Sequence, residues 1–186
     1  MLQSLGVTLF PFLFLCVLFG GGGAFRRRNI DQDGKPPINS VLFYTSKYLI
    51  MILWAAMILQ NWGVRLSFFE VPFSVKVTSL CFWVLGFVLL FIGRFSMGES
   101  FRIGSPKENT HLKVRGLFSI SRNPMYLGVY STIMATVLYT LNPILCLVAI
   151  FIIAVHHKIV LAEEVYLQKE FGEEYQTYRG RVRRYL

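Results

Sequence analysis

Charge is what this chain has least of. Of its 186 residues, 16% are Asp, Glu, Lys or Arg and 54% are hydrophobic, whereas a soluble domain carries about a quarter charged residues. The mean hydropathy is +0.52. Such a composition argues against a fold wetted on all sides. Cysteine is also sparse. Cys16, Cys81 and Cys146 fall in three separate apolar runs without partners at metal-ligand spacing, so neither a disulfide framework nor a thiolate metal centre is expected. They read as small apolar core residues. There is no HExxH or comparable spacing, and no metal is expected. No internal repeat is visible.

What is present is a series of apolar runs long enough to matter in lipid, where a spanning helix needs about 20 residues. Residues 3–25 contain no charge, residues 40–62 only Lys47, and residues 77–93 none. Residues 125–141 are uncharged, and 143–155 follow at once. The expectation is an all-α, polytopic helical bundle of about five transmembrane helices in one membrane domain, residues 1–186. Residues 1–95 form three N-terminal helices. Residues 96–186 form a loop, a helix hairpin and an amphipathic C-terminal segment. The first run could be a signal peptide, but no Lys or Arg precedes it, so the basic n-region is missing. It is expected to remain as a helix.

The formal net charge of +9 could suggest nucleic acid, but its distribution points to the membrane. Arg26, Arg27, Arg28 and Lys35 follow the first run. Arg94, Arg102, Lys107, Lys113, Arg115 and Arg122 follow the third. Lys158, Lys169, Arg179, Arg181, Arg183 and Arg184 lie in the tail. The intervening connections hold only Arg65 and Lys76, then the uncharged turn Thr140-Leu141-Asn142-Pro143. This is the positive-inside alternation. It places the N-terminus outside and the C-terminus in the cytoplasm, with anionic headgroups as counter-charge and no nucleic-acid partner.

Residues 125–141 would rise about 25 Å at 1.5 Å per residue, slightly short for a span. The short link at Asn142-Pro143 makes the last two runs an antiparallel hairpin. Beyond it, Tyr166, Leu167, Phe171, Tyr175 and Tyr178 recur at three- and four-residue steps, which predicts an amphipathic helix continuing from the fifth run.

Three features could carry chemistry. Ser121-Arg122-Asn123-Pro124-Met125-Tyr126 opens the fourth helix. Pro124 suits its first turn, and Ser121 or Asn123 can cap it. A capped N-terminus beside an arginine can hold an anion, although an ordinary helix start explains the same residues. Glu163 and Glu164 close the fifth run, where two carboxylates need water or a partner and oppose the helix dipole. The hairpin brings them to the membrane face at which Arg122–Tyr126 begins. There they could accept hydrogen bonds from ribose hydroxyls or an amino group, or simply pair with Arg122 or Lys158. His156 and His157 precede them and are expected to be interfacial. Lys47 can snorkel to the headgroups.

These residues carry a family resemblance. The stretch Gly116-Leu117-Phe118-Ser119-Ile120-Ser121-Arg122-Asn123-Pro124-Met125-Tyr126-Leu127-Gly128 resembles the GxYxxxRHPxYxG signature of the isoprenylcysteine carboxyl methyltransferase family. Glu163-Glu164-Val165-Tyr166-Leu167, Phe171-Gly172-Glu173-Glu174-Tyr175, Tyr178 and Val182-Arg183-Arg184 resemble its EExxL…FGxxYxxY…VxR tail. The similarity covers about residues 108–186. It implies S-adenosylmethionine bound in a pocket closed by the loop and tail, with a lipophilic substrate entering sideways from the bilayer. Carried over, Thr110, His111, Leu112 and Lys113 match the segment that wraps the cofactor. Phe118 matches a cofactor-pocket Tyr, and Asn123, Pro124, Met125 and Tyr126 match HPxY. Glu163, with Glu164 beside it, is expected to hold the cofactor, and Arg122 or Arg184 to position an anionic substrate or the cofactor carboxylate. The chain departs from the pattern at Asn123, where the family has His. His111 is one residue out of register. Ile159 stands where the family places a substrate-binding Arg.

The function expected from the resemblance is S-adenosylmethionine-dependent methyl transfer to a lipophilic or lipidated acceptor at the cytoplasmic membrane face, carboxylate O-methylation included. The alternatives are an NADPH-dependent, sterol-reductase-like membrane enzyme and a non-catalytic membrane scaffold or transporter.

Overall fold

In lipid every backbone N–H and C=O must find a partner within the protein, and a helix achieves this locally. A computed structural model of the chain describes residues 2–20, 36–97 and 112–186, and there each apolar run is helical. The elements are α1 (Leu2–Gly20), α2 (Ser40–Asn61), α3 (Phe73–Met97), a 3₁₀ turn (Gly116–Ser119), α4 (Pro124–Thr140) and α5 (Pro143–Arg181). Among the described residues there is no strand. The expected helical membrane bundle is present. By length and composition α2, α3 and α5 can cross a membrane, while the apolar part of α1, Gln3–Leu18, is shorter and α4 has 17 residues.

The short helix α4 is the centre of the packing. Its most extensive neighbour is α3, followed by α2. Gly128, Ser131, Thr132, Ala135 and Thr136 are buried, and small residues let membrane helices approach backbone to backbone. The closest crossing is at Gly86 and Gly128. A Cβ on Gly86 would lie 2.8 Å from the Gly128 carbonyl oxygen and 2.6 Å from Thr132 Cγ2. Polar bonds fasten the same seam. Ser79 Oγ donates to the Ala135 carbonyl and Ser131 Oγ to the Phe82 carbonyl, each at 2.7 Å. From α2, Trp54 Nε1 donates to Thr132 Oγ1 at 3.0 Å. Around them Phe14, Trp54, Trp83 and Phe87 form a buried aromatic cluster.

Leu141 and Asn142 alone separate α4 from α5. Leu141 takes a left-handed conformation, φ 39°, and Asn142 caps α5 by accepting from the N–H groups of Ile144 and Leu145. Tyr126 in the first turn of α4 bonds to Glu163 of α5 and Arg122, just before α4, to Glu164, so the two helices run back along each other as the expected hairpin.

Before its break at Gly172, α5 rises about 43 Å at 1.5 Å per residue, well beyond a 30 Å hydrocarbon core. Its membrane segment is therefore the apolar stretch from 143 to 162, and Glu163 onward lies at the interface and beyond. The expected amphipathic continuation exists but is bent. Gly172 interrupts the helix with φ 49°, ψ −120°, a conformation that a Cβ disfavours. Of the five apolar positions in the predicted stripe, only Tyr175 and Tyr178, past the bend, are buried.

Candidate active site where the hairpin meets the tail

The residues preceding α4 are held by the chain's last residues. Arg122 N–H donates to the Arg183 carbonyl at 3.0 Å. Arg122 Nη1 donates to the carbonyls of Arg179 and Val182, each at 3.1 Å. Arg122 Nε and Nη2 reach Glu164 Oε1 at 3.2 and 2.9 Å. Four of the five N–H groups of that guanidinium are thus engaged. Glu164 takes Arg184 on its other side, with Nη2 at 2.9 Å from Oε2 and Nε at 3.1 Å from Oε1. One carboxylate therefore bridges two guanidiniums. Burial pushes the Glu164 carboxyl up, but the hydrogen bonds and charges of Arg184 and Arg122 outweigh this and leave it below the ordinary carboxylate range. The hydrogen bond to Glu164 in turn raises Arg184.

Asn123 does not cap α4 as expected; its side chain makes no cap bond. Its Nδ2 donates instead to the Arg184 carbonyl at 3.1 Å. Ser121 Oγ accepts from the Asn123 N–H at 3.1 Å and donates to the same Arg184 carbonyl at 3.3 Å. The tail thus competes for the polar groups that would otherwise close the helix end. Tyr178 Oη donates to the Phe118 carbonyl at 2.6 Å, which ties the 3₁₀ turn to α5 beyond its bend.

Adjacent to this clamp lies a cavity of about 360 Å³ to which all five helices contribute. Its polar end holds Lys47, Arg122, Asn123, Tyr126, His156 and Glu163, and Phe118, Pro124 and Met125 lie beside them. Its apolar wall is made by Phe14, Leu15, Leu18, Ile50, Met51, Trp54, Leu90 and Val129. Tyr126 Oη donates to Glu163 Oε1 at 3.0 Å. The two adjacent glutamates therefore part company: Glu163 lines the cavity, and Glu164 anchors the clamp.

Of the residues expected at the site, Phe118, Arg122, Asn123, Pro124, Met125, Tyr126 and Glu163 come together around the cavity. Glu164 and Arg184 sit behind it in the clamp. Leu112 is half-buried and Lys113 exposed, and neither is among the lining residues. Thr110 and His111 lie outside the described residues.

Two lining residues carried other expectations. His156, expected among headgroups, is 4% exposed and packs edge-on against Tyr126. Lys47, expected to snorkel, lines the cavity with its Nζ 4.1 Å from the centroid of Phe43. The sequence signal for His156 was its shared helical face with Glu163. For Lys47 and the walls from α1 and α2 there was none, since their partners are far away in the chain.

Comparisons with known proteins point to a family of methyltransferases. A family model described as phospholipid methyltransferase matches residues 75–174. The protein-S-isoprenylcysteine O-methyltransferase of Saccharomyces cerevisiae is 34% identical over 116 residues, which are 56% of this chain and 48% of the yeast protein. The chain thus spans about half the length of that relative. An uncharacterized protein of Haemophilus influenzae is 38% identical over 63 residues, 33% of this chain and 100% of that protein. No solved structure matches. The family match begins in α3, takes in all of α4 and ends just beyond the bend in α5, leaving Lys47 before it and the clamp's arginine tail after it. It covers more than half of the sequence and favours methyl transfer over the NADPH-dependent alternative: the chain belongs to the phospholipid methyltransferase family.

Proposed function

We propose that this integral membrane protein transfers the methyl group of S-adenosylmethionine to a lipophilic or lipidated acceptor at the cytoplasmic face of the membrane. The observation that carries the reading is one cavity that joins the Tyr126–Glu163 pair to an apolar chamber among the helices. The residues present fit the cofactor. Its ribose hydroxyls and amino group are donors that suit a carboxylate. Glu163 offers a carboxyl whose orientation Tyr126 sets, and although burial pushes it up to about 7, donors from a bound cofactor would favour its charged form. Asn123 adds an amide at the rim, while Phe118 and Met125 offer apolar surface for a purine. When bound, the cofactor supplies a methyl group already activated on a sulfonium. The chain then has to align the acceptor with that methyl group and exclude water, which suits a site with an apolar wall. Arg122, Arg184 and Glu164 act as positioning residues by holding the tail against the start of α4.

The cytoplasmic assignment rests on the basic residues at the end of the bundle that carries the site, against Arg65 and Lys76 at the other. The lipidated acceptor is supported by the yeast relative, whose name describes an S-isoprenylcysteine O-methyltransferase. Calorimetric titration of S-adenosylhomocysteine into the purified protein tests the reading. Binding that is abolished or weakened at least about tenfold by Glu163→Ala, the size of a lost charged hydrogen bond, is expected. Absence of binding, or a Glu163→Ala variant that matches the wild type, overturns it.

A further inference from the structure

The cavity's polar end holds a cation and a buried ring nitrogen beyond those the cofactor reading uses. Lys47 stands one turn after Phe43 on α2. Phe43 is 1% exposed and packs on Val155 and Ile159 of α5. The Lys47 ammonium lies over that ring, 4.1 Å from its centroid, a cation–π placement at the α2–α5 seam. Its charge acts on both His156 and Glu163.

His156, on α5, lines the same end of the cavity. Its Nδ1 is buried and has no hydrogen-bond partner among the described residues. Buried polar atoms are normally paired, and the cavity has room for a partner. Arg122 also lines this end, but most of its donors are engaged by Glu164 and the tail carbonyls.

We propose that Lys47 and His156, neither of them in the signature motifs, form the head-group site that holds the carboxylate of the methyl acceptor, with the acceptor's tail along Phe14, Leu18, Met51 and Trp54. The inference rests on the methyl-transfer reading. One point charge and one N–H donor match the two oxygens of a carboxylate, while a phosphate would call for more cationic donors. The chemistry balances without a base. A carboxylate oxygen lone pair forms the new O–CH₃ bond, the S–CH₃ bond breaks, its electron pair stays on sulfur, and no proton moves. The product ester is neutral, so it loses its ion pair with Lys47, which favours release.

The test uses the full chain in lipid nanodiscs, with N-acetyl-S-farnesylcysteine and its carboxamide as probes that differ only in charge at the head. The wild type is expected to bind the acid about tenfold more tightly than the amide, the size of one charged hydrogen-bonded contact. Lys47→Met should bring the acid down to the amide's affinity and His156→Phe should weaken the acid at the oxygen it holds, whereas Lys47→Arg should keep the preference. In ¹⁵N-histidine spectra the His156 Nδ1 resonance should shift with the acid and not with the amide. Equal affinity for the two probes, no binding of either, or a Lys47→Met variant that keeps the preference overturns the proposal. Loss of S-adenosylhomocysteine affinity in Lys47→Met, with the acid preference intact, would assign Lys47 to the cofactor's own carboxylate and also overturns it. Failure of the wild type to bind S-adenosylhomocysteine overturns the methyltransferase reading instead, and the acid-to-amide ratio still reports on the head-group site.

Discussion

Arg122 and Glu164 are 42 residues apart, and their side chains meet at 2.9 Å with less than a tenth of either exposed. Arg184 completes the bridge from the far side of the carboxylate at 2.9 Å. Removing one partner from an enclosed ion pair leaves the other charge without compensation and costs about 3–5 kcal/mol. Glu164→Ala leaves two guanidiniums facing each other. It is expected to lower the thermal midpoint in detergent and to speed tryptic cleavage after Arg181, Arg183 and Arg184. Unchanged cleavage would mean that the tail is held by something other than this carboxylate.

The same clamp has a defined pH dependence. Glu164 has a folded pKa below its ordinary value of 4.5, so the folded carboxyl holds its proton less tightly than the unfolded one. The clamp's contribution is then complete above that ordinary value and is lost as the pH falls through the lower folded value. Hydrogen-exchange protection of the Arg122 amide, which donates to the Arg183 carbonyl, corrected for intrinsic rates, should be flat from about pH 6 to 8 and decline in acid. Glu164→Gln should lack the acid transition. A loss of protection on raising the pH through neutrality would point to a different group.

Three glycines separate steric from conformational constraint. Gly86→Ala drives a methyl group into the Gly128 carbonyl and Thr132, and overpacking of this kind costs about 1–3 kcal/mol. At Gly172 a Cβ meets nothing within 4 Å, but φ is +49°, so Gly172→Ala is strained by about 1–3 kcal/mol through the backbone alone. Gly180 lies in α5 with open space around it, and Gly180→Ala should stabilise by up to about 1 kcal/mol through helix propensity. Thermal unfolding of the three variants in one detergent checks the order. Equal stability of Gly86→Ala and Gly180→Ala would contradict the close α3–α4 crossing.

Two tyrosine hydroxyls separate cofactor binding from tail docking. Tyr126→Phe removes the donor to Glu163 and should weaken S-adenosylhomocysteine binding by less than Glu163→Ala does, because it costs Glu163 its orientation and not its own contacts. Tyr178→Phe frees the Phe118 carbonyl and should loosen the 3₁₀ turn, read as faster hydrogen exchange over residues 116–120. A Tyr126→Phe variant with unaltered affinity would show that Glu163 needs no orienting partner.

Much of the candidate site was legible because its parts lie in two short stretches joined by a hairpin. Asn142-Pro143 announces the reversal, and that alone places Arg122–Tyr126 opposite Glu163 and Glu164. Of the two cap candidates, Asn123 fails because its amide meets the Arg184 carbonyl 61 residues away, a partner that local sequence does not reveal. The bend was missed because Gly172 lies inside an apolar periodicity that reads as one continuous helix, and a glycine's φ is not encoded in its neighbours.

The sequence by itself determined the helices, the membrane and the family. Apolar length, the local hydrogen bonding of a helix in lipid and a motif pair at the right separation are all properties of neighbouring residues. Only the tertiary structure decided which glutamate faces the cavity. Consecutive helical residues point about 100° apart, so the direction of Glu163 and Glu164 depends on what packs around α5, and the arginines of the returning tail take the second. Lys47 and His156 were likewise decided by packing: α2 meets α5 through Phe43, Val155 and Ile159, a contact between residues more than a hundred positions apart.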